Sequence, residues 1–323
     1  MSSNVLEVKN LSKKFTLDAG FFARQDKFVY AVNDVSFSIE RNKTFGLVGE
    51  SGCGKTTTAK LIVKMYNSDF GDIVFNDFTD NKVQSINVNN LSRSELKNYR
   101  EKVKYIFQDP SRSLNPRLNV YEILTSGYKY SKNWSGKKIA IEECSSLLEE
   151  VGLNAKDLYR YPSAFSGGQR QRISIARGLL MKPQILICDE VVSALDVSIQ
   201  GQILNLLSDI KQKRNLSYVF IAHDLRVSCY FCDDIGVMYR GALVEQSPAK
   251  DFYKTAIHPY SKLLFAGAQG SSLQQTGEVK SALETIKGCP YAHRCPYATE
   301  KCSNQMPDWK KVDDKHFVRC FNF

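Results

Sequence analysis

The chain is 323 residues long, and nowhere in it do the roughly 18–20 consecutive apolar residues needed to cross a bilayer occur together. Its start, Met1-Ser2-Ser3-Asn4, has neither the basic nor the apolar region of a secretory signal, so the cytoplasm is the expected compartment. Internal repeats are absent, which argues against a solenoid or an array. A composition of 43% hydrophobic and 24% charged residues excludes a disordered chain and leaves room for one large domain plus an extension, or for two ordinary domains. The net charge of +10 suits nucleic acid, an anionic membrane surface or nucleotide ligands, and it equally suits a solvated Lys-rich surface. Of nine cysteines, Cys53, Cys144, Cys188, Cys229 and Cys232 are scattered, whereas Cys289, Cys295, Cys302 and Cys320 crowd the end of the chain.

Short β-rich runs alternate with helical stretches, the pattern of an α/β protein. Strands are expected over 5–11, 30–40, 44–48, 103–107, 184–188, 218–222 and 234–239. Ile199, Ile203, Leu206, Leu207 and Ile210 form the stripe of a helix packed on a sheet. Residues 109–181 read as a helical subdomain inserted into the core. The polar, Asn-rich stretch 80–90 reads as a surface loop, and 267–287, rich in Gly, Ser, Gln and Thr, as a linker.

Gly49-Glu50-Ser51-Gly52-Cys53-Gly54-Lys55-Thr56, followed by Thr57, matches G-x-x-x-x-G-K-[ST] in full, between an expected strand and an expected helix. Glycines let successive N–H groups turn inward on phosphate oxygens, and the helix start adds its positive dipole end. Lys55 would bridge the β- and γ-phosphates, and the Thr56 hydroxyl would sit on Mg²⁺. Cys53, near a helix N-terminus, is either an oxidisable thiol or a tolerated small residue.

Further along, Ser166-Gly167-Gly168-Gln169 opens a helix, and Gln184-Ile185-Leu186-Ile187-Cys188-Asp189-Glu190 is an apolar run ending in two acids. In this order the motifs resemble those of ABC ATPases: a phosphate loop, a signature motif and a Walker B strand. The resemblance implies a P-loop NTPase cassette with a RecA-like core sheet, an N-terminal antiparallel β subdomain, an inserted helical subdomain and a short Cys-rich C-terminal extension. It divides the chain into a nucleotide-binding domain, 1–266, and a linker with Cys-rich extension, 267–323. It also implies a head-to-tail pair of cassettes, with ATP between the phosphate loop of one and the signature of the other. Residue by residue, Asp189 and Gln108 would serve Mg²⁺ and Glu190 would polarise the attacking water. Asp196, in Ser193-Ala194-Leu195-Asp196, would lie in the D-loop, and His223 would contact the γ-phosphate. Phe15 would stack on adenine, although Phe28 and Tyr30 also precede the phosphate loop. Val191 stands where many members have proline.

The wider form of these segments, together with Ser113-Leu114-Asn115-Pro116-Arg117 and His258-Pro259-Tyr260-Ser261, is similar to F-type cassette subunits of oligopeptide and dipeptide importers. That branch also contains importers of nickel and other small solutes. The resemblance implies a second cassette subunit, two transmembrane permeases and an extracellular substrate-binding protein as partners. It places the chain on the cytoplasmic face of the membrane and implies no nucleic acid. A soluble ABC ATPase acting on nucleic acid or the ribosome is the alternative from another class. The tail spacing, C-x₅-C-x₆-C-x₁₇-C, lacks the C-x₂-C pairs of common zinc ribbons. It resembles importer tails in which Cys289, Cys295, Cys302 and Cys320 would bind a [4Fe–4S] cluster; zinc, or free or disulfide-linked cysteines, are the other readings. Cys229 and Cys232 form a C-x₂-C but lie in an expected helix, as spectators.

Overall fold

A computed structural model describes residues 3–17, 27–79, 83–268 and 287–323. The chain divides into two compact units, Met1–Asn90 with Phe220–Phe323, and Leu91–Val219.

The first unit contains two groups of strands. Strands β1 (Asn4–Leu17) and β2 (Lys27–Glu40) pair antiparallel, and β1 also pairs with β4 (Phe70–Asp77), giving the order β2-β1-β4-β5. The register Leu6↔Ile39, Val8↔Phe37 and Leu6↔Phe75 puts alternate apolar residues on one buried face, as the period of two requires. The fourth strand, β5 (Gln84–Asn87), falls where a surface loop was expected. Its polar residues bond across the sheet: Ser85 Oγ donates to Asn76 Oδ1 at 2.6 Å, and Asn87 Nδ2 to Asp72 Oδ1 at 2.8 Å. Pairing with β4 therefore overrides the low strand propensity of asparagine. Residues 80–82 lie outside the described residues, as does the expected linker apart from Gly267, Ala268 and Lys287.

The second group is built on β3 (Thr44–Val48), buried at all five positions and parallel to β9 (Asp234–Tyr239). A strand buried on both faces reads as a continuous apolar run. β9 turns into β10 (Ala242–Pro248) through Arg240 and Gly241, both at positive φ, as a two-residue hairpin demands. The C-terminal tail adds β11 (Lys310–Lys311) and β12 (Phe317–Val318), the latter pairing with β10. Under that pairing Glu245 is fully buried and fully partnered. His316 Nε2 lies 2.7 Å from its Oε1, and the N–H groups of Ile257 and His258 donate to its two oxygens at 2.7 and 3.0 Å. Arg319 to Asp34 and Lys315 to Glu40, each at 2.8 Å, also fix the tail.

In the second unit β6 (Val103–Ile106) and β7 (Ile185–Asp189) run parallel, and Ser217 at the start of β8 (Ser217–Ala222) donates its N–H to the Gln184 carbonyl at 3.0 Å. Residues 109–181 contain helices and no strand. The helices Arg93–Lys102, Val120–Tyr128 and Gly167–Leu179 each begin with a capping box, from Ser92/Glu95, Asn119/Glu122 and Ser166/Gln169. The helix Val197–Arg214 buries Ile203, Leu204, Leu207 and Ile210, while Ile199 and Leu206 of the expected stripe are half-buried.

His258, buried in the first unit, accepts the Tyr260 N–H on Nδ1 at 3.1 Å, which requires a neutral ring nitrogen there. Burial pushes its imidazole down to about 4, against a smaller upward pull from Glu245. The unfolded chain takes up this proton near pH 6.5 and the folded chain only near 4, so acid favours unfolding between those values. We expect the urea midpoint to fall between pH 7 and 4, with His258 contributing up to roughly 3 kcal/mol of the loss. His258→Gln should flatten the profile by that amount; equal slopes for the two proteins would refute the assignment.

Candidate functional site

The phosphate loop follows directly from β3 and runs into the helix α1 (Lys55–Ile62). Gly54 is the N-cap, at φ 109°, and brings no side chain to the first turn, whose N–H groups suit an anion. Gly54 is also wedged: a Cβ there would stand 2.2 Å from the Ala31 carbonyl oxygen, and one at Gly49 2.2 Å from that of Met238. Gly52, at φ 78°, meets nothing within 4 Å. The buried Lys55 Nζ donates to the carbonyls of Gly49 at 2.7 Å and Glu50 at 2.9 Å. The Cys53 thiol is also buried, and that burial raises its pKa despite the nearby Lys55. Of the two readings of Cys53, this burial favours a tolerated small residue over an oxidisable thiol.

Behind the loop, Gly241 donates its N–H to the Cys53 carbonyl at 2.8 Å, and Glu50 its N–H to Tyr260 Oη at 2.9 Å. The Glu50 carboxylate receives Arg294 Nη1 at 3.0 and 3.1 Å. Tyr260 and Arg294 stand 210 and 244 residues from Glu50 in sequence, so no local pattern reveals them. Phe15, on β1, meets Tyr66 edge-on at 5.4 Å, with Lys13 over its ring. Phe28 carries Lys14 over its ring at 4.7 Å. His223 is exposed just beyond β8 and lines a concavity of about 400 Å³ with Asp224, Leu225, Arg226 and Leu264.

The second unit gathers its expected residues in two places. Asp189 ends β7, buried, and accepts a hydrogen bond from the Tyr105 hydroxyl, a partner absent from the motif. Glu190 follows at φ 48°, a left-handed conformation that costs a non-glycine residue about 1–3 kcal/mol and clusters at functional positions. Gln108 Nε2 donates to Glu190 Oε2 at 2.6 Å, and Ser193 Oγ to the Glu190 carbonyl at 2.9 Å. Val191, in the place of proline, is buried.

At the signature, Ser166 Oγ accepts the Gln169 N–H at 3.3 Å and Gln169 Oε1 accepts the Ser166 N–H at 2.9 Å. A Cβ on Gly168 would lie 2.7 Å from Ile199 Cγ2, and one on Gly167 would be in ordinary contact with Leu195. Asp196 is exposed at the N-cap of the helix Val197–Arg214.

The four tail cysteines are free thiols, Cys302 and Cys320 buried and the other two half-buried. Cys289 donates its N–H to the Cys302 carbonyl at 2.7 Å. Burial pushes its thiol up to about 11, and the Cys302, Cys320 and Cys295 thiols are near enough to add to the rise. Against the expectation of a metal centre, among the described residues no three His, Cys, Asp or Glu side chains stand at metal-holding spacing. The structure brings the four thiols into one neighbourhood without closing them to ligand distances. Cys232 is buried against Gly46, and Cys229 is half-buried on the short helix Leu225–Phe231. Among the described residues no helix is long and apolar enough to cross a membrane.

A bare-amide loop between a buried parallel strand and a helix, in a chain that also has an acid-ended strand and a capped Ser-Gly-Gly-Gln helix, defines a nucleotide-hydrolysing cassette of the P-loop class. The chain belongs to the ABC transporter family, whose profile matches residues 32–193, and it is an ATPase. A second profile, the C-terminal region of oligopeptide/dipeptide transporters, matches residues 244–302. The oligopeptide transport ATP-binding protein AppF of Bacillus subtilis (strain 168) is 38% identical over 326 residues, covering 98% of this chain and 96% of its own. The same organism's oligopeptide transport ATP-binding protein OppF is 45% identical over 267 residues, covering 82% of this chain and 83% of its own. Among solved structures, the ATP-binding cassette MJ0796, a dimer in a post-hydrolysis state with ADP and Pi, matches with a TM-score of 0.63 at 26% identity, covering 76% of this chain and 99% of its own.

The glycines give a direct check of the loop geometry. Gly54→Ala puts a Cβ onto a backbone carbonyl and should weaken MgATP binding by more than about 100-fold. Gly52→Ala has open space and meets only the cost of a left-handed alanine, so about tenfold is expected. Equilibrium nucleotide binding by the two variants checks the ranking, and equal losses would contradict it.

Proposed function

We propose that this chain is the ATP-hydrolysing subunit of an ABC importer of peptides, working on the cytoplasmic face of the membrane beside a second cassette and two permeases, with cargo delivered by an extracellular binding protein. The likeness that carries the cargo reading runs from end to end. It includes the tail beyond the cassette, where the transporter-specific profile matches.

Each unit contributes its own groups. In the first, Lys55 exchanges the carbonyls of Gly49 and Glu50 for β- and γ-phosphate oxygens, and the amides from Gly52 to Thr57 surround the phosphates. Phe15 stacks on adenine and His223 contacts the γ-phosphate. In the second, Glu190 polarises the attacking water, held in its left-handed conformation while Gln108 orients its carboxylate. The Ser166–Gln169 helix start receives the partner cassette's nucleotide, and Asp196 faces that partner. The hydroxyl of Thr56, the buried carboxylate of Asp189 and the Gln108 side chain are hard oxygen donors of the kind Mg²⁺ takes. When bound with the nucleotide, that ion neutralises phosphate charge.

The four tail cysteines are, in this reading, ligands of a [4Fe–4S] cluster. Thiols are the right donors for it, and these four already share one neighbourhood, although not at ligand distances. The cluster would fold a short segment more tightly.

Tagged protein purified anaerobically with its native membranes tests both points. The expected companions are two multi-span permeases and a second cassette, and the expected analysis is iron and acid-labile sulfide in equal amounts. Recovery with nucleic acid or ribosomes would overturn the importer reading. Zinc, or four titratable thiols without iron, would overturn the cluster alone. Glu190→Gln in the assembled transporter should lower turnover by at least about 100-fold while MgATP still binds. Unchanged turnover would remove Glu190 from its role.

A further inference from the structure

The tail is fastened to the rest of the first unit at several places besides Arg294. Strand pairing of β12 on β10, the buried Glu245–His316 contact, Arg319 to Asp34 and Lys315 to Glu40 all lie elsewhere on it. Arg294 nonetheless leaves the tail to reach the phosphate loop. It is 4% exposed, and its guanidinium bonds both Glu50 oxygens and approaches Tyr239 Oη at 3.4 Å. Around it Tyr239, Tyr260 and Tyr291 pack on one another, with ring centroids 4.5 to 5.3 Å apart. The hydroxyl of one of them, Tyr260, accepts the Glu50 N–H.

Glu50 is thus held at both its peptide N–H and its carboxylate. Its carbonyl and that of Gly49 are the two that Lys55 touches. Fixing Glu50 therefore fixes the stretch of loop that orients the phosphate-binding lysine. The loop contains three glycines, and such a backbone loses much freedom when it is ordered.

We propose that Arg294 is a positioning residue for the nucleotide: through Glu50 it pre-sets the phosphate loop, so that the cysteine-bearing tail tunes the affinity of this cassette for ATP. The proposal rests on the phosphate loop being the ATP site. A loop released at one or two residues must be ordered again by the ligand, which weakens binding by roughly 10- to 100-fold. Both bonds run through one nitrogen, Nη1, so lysine keeps part of the contact but loses the guanidinium plane beside the Tyr239 and Tyr291 rings.

The test uses the full-length chain and measures three quantities: MgATP dissociation constant, KM and kcat for hydrolysis, and thermal midpoint. Arg294→Ala and Glu50→Gln should each raise the dissociation constant at least about tenfold and raise KM in step, with kcat at saturation changed less than about threefold. The double variant should be no worse than the weaker single, since both remove one contact. Arg294→Lys should recover part of the affinity. Arg319→Ala, which loosens the tail away from the loop, should lower the thermal midpoint and leave MgATP binding unchanged. Should Arg294→Ala fail to fold, Arg294→Lys and Glu50→Gln give the same comparison. MgATP binding by Arg294→Ala within twofold of the wild type would overturn the proposal. So would Arg319→Ala weakening binding as much as Arg294→Ala does. A wild-type chain binding no more MgATP than Lys55→Ala would instead overturn the assignment of the ATP site itself.

Discussion

A phosphate group can be held by bare backbone N–H groups only where the chain is forced to turn them all to one side, and this constraint governs the first unit. Gly49 and Gly54 lie so close to the carbonyls of Met238 and Ala31 that no side chain fits, and each adopts a φ open mainly to glycine. The surrounding strands are what bring those carbonyls up. β3 delivers the loop, β9 and its hairpin place Met238 and Gly241 against it, and β2 supplies Ala31. The loop is less an isolated motif than the meeting point of three strands.

The second unit meets a different requirement. In the function proposed above Glu190 acts on water, and such a carboxylate has to be presented and kept from wandering. β7 is buried at all five positions, so its end is a rigid platform. Asp189 remains tied to that platform through Tyr105, while Glu190 leaves it in a left-handed turn that the Ser193 hydroxyl and the Gln108 amide secure. The strain of that turn persists because the neighbouring contacts determine it. At the signature, Ser166 and Gln169 satisfy each other's backbone, which keeps the helix start ordered with its glycines bare.

The tail serves the first unit. Its strand β12 completes a hydrogen-bonding edge that would otherwise be exposed, and the buried contact of His316 with Glu245 belongs to a set of partners that satisfies both carboxylate oxygens. Secured in this way, it is able to present Arg294 to the phosphate loop from behind. A chemically distinctive segment, four cysteines in a short stretch, thus sits one residue from a contact that reaches Glu50 of the glycine-rich loop: Arg294 immediately precedes Cys295.

Local spacing carried the class of protein. G-x-x-x-x-G-K-T, Ser-Gly-Gly-Gln and the acid-ended apolar run are each contiguous, and their chemistry depends on neighbours in sequence, so their place on strand, loop and helix was legible from the residues alone. The same holds for β3, β7 and β9, whose apolar runs mark burial. β5, β10 and β12 were not legible, because their strand character comes from partners distant in the chain rather than from alternation of their own. Nor was the spacing of the cysteines enough to fix a ligand cage, since sulfur-to-sulfur distance is set by the folding of the whole tail. Tertiary structure alone decided that Tyr105 bonds Asp189 and that Glu50 belongs to Arg294 and Tyr260. The reason is physical: a motif encodes the groups that meet a ligand, whereas the groups that hold a motif in place come from wherever the fold brings the chain back.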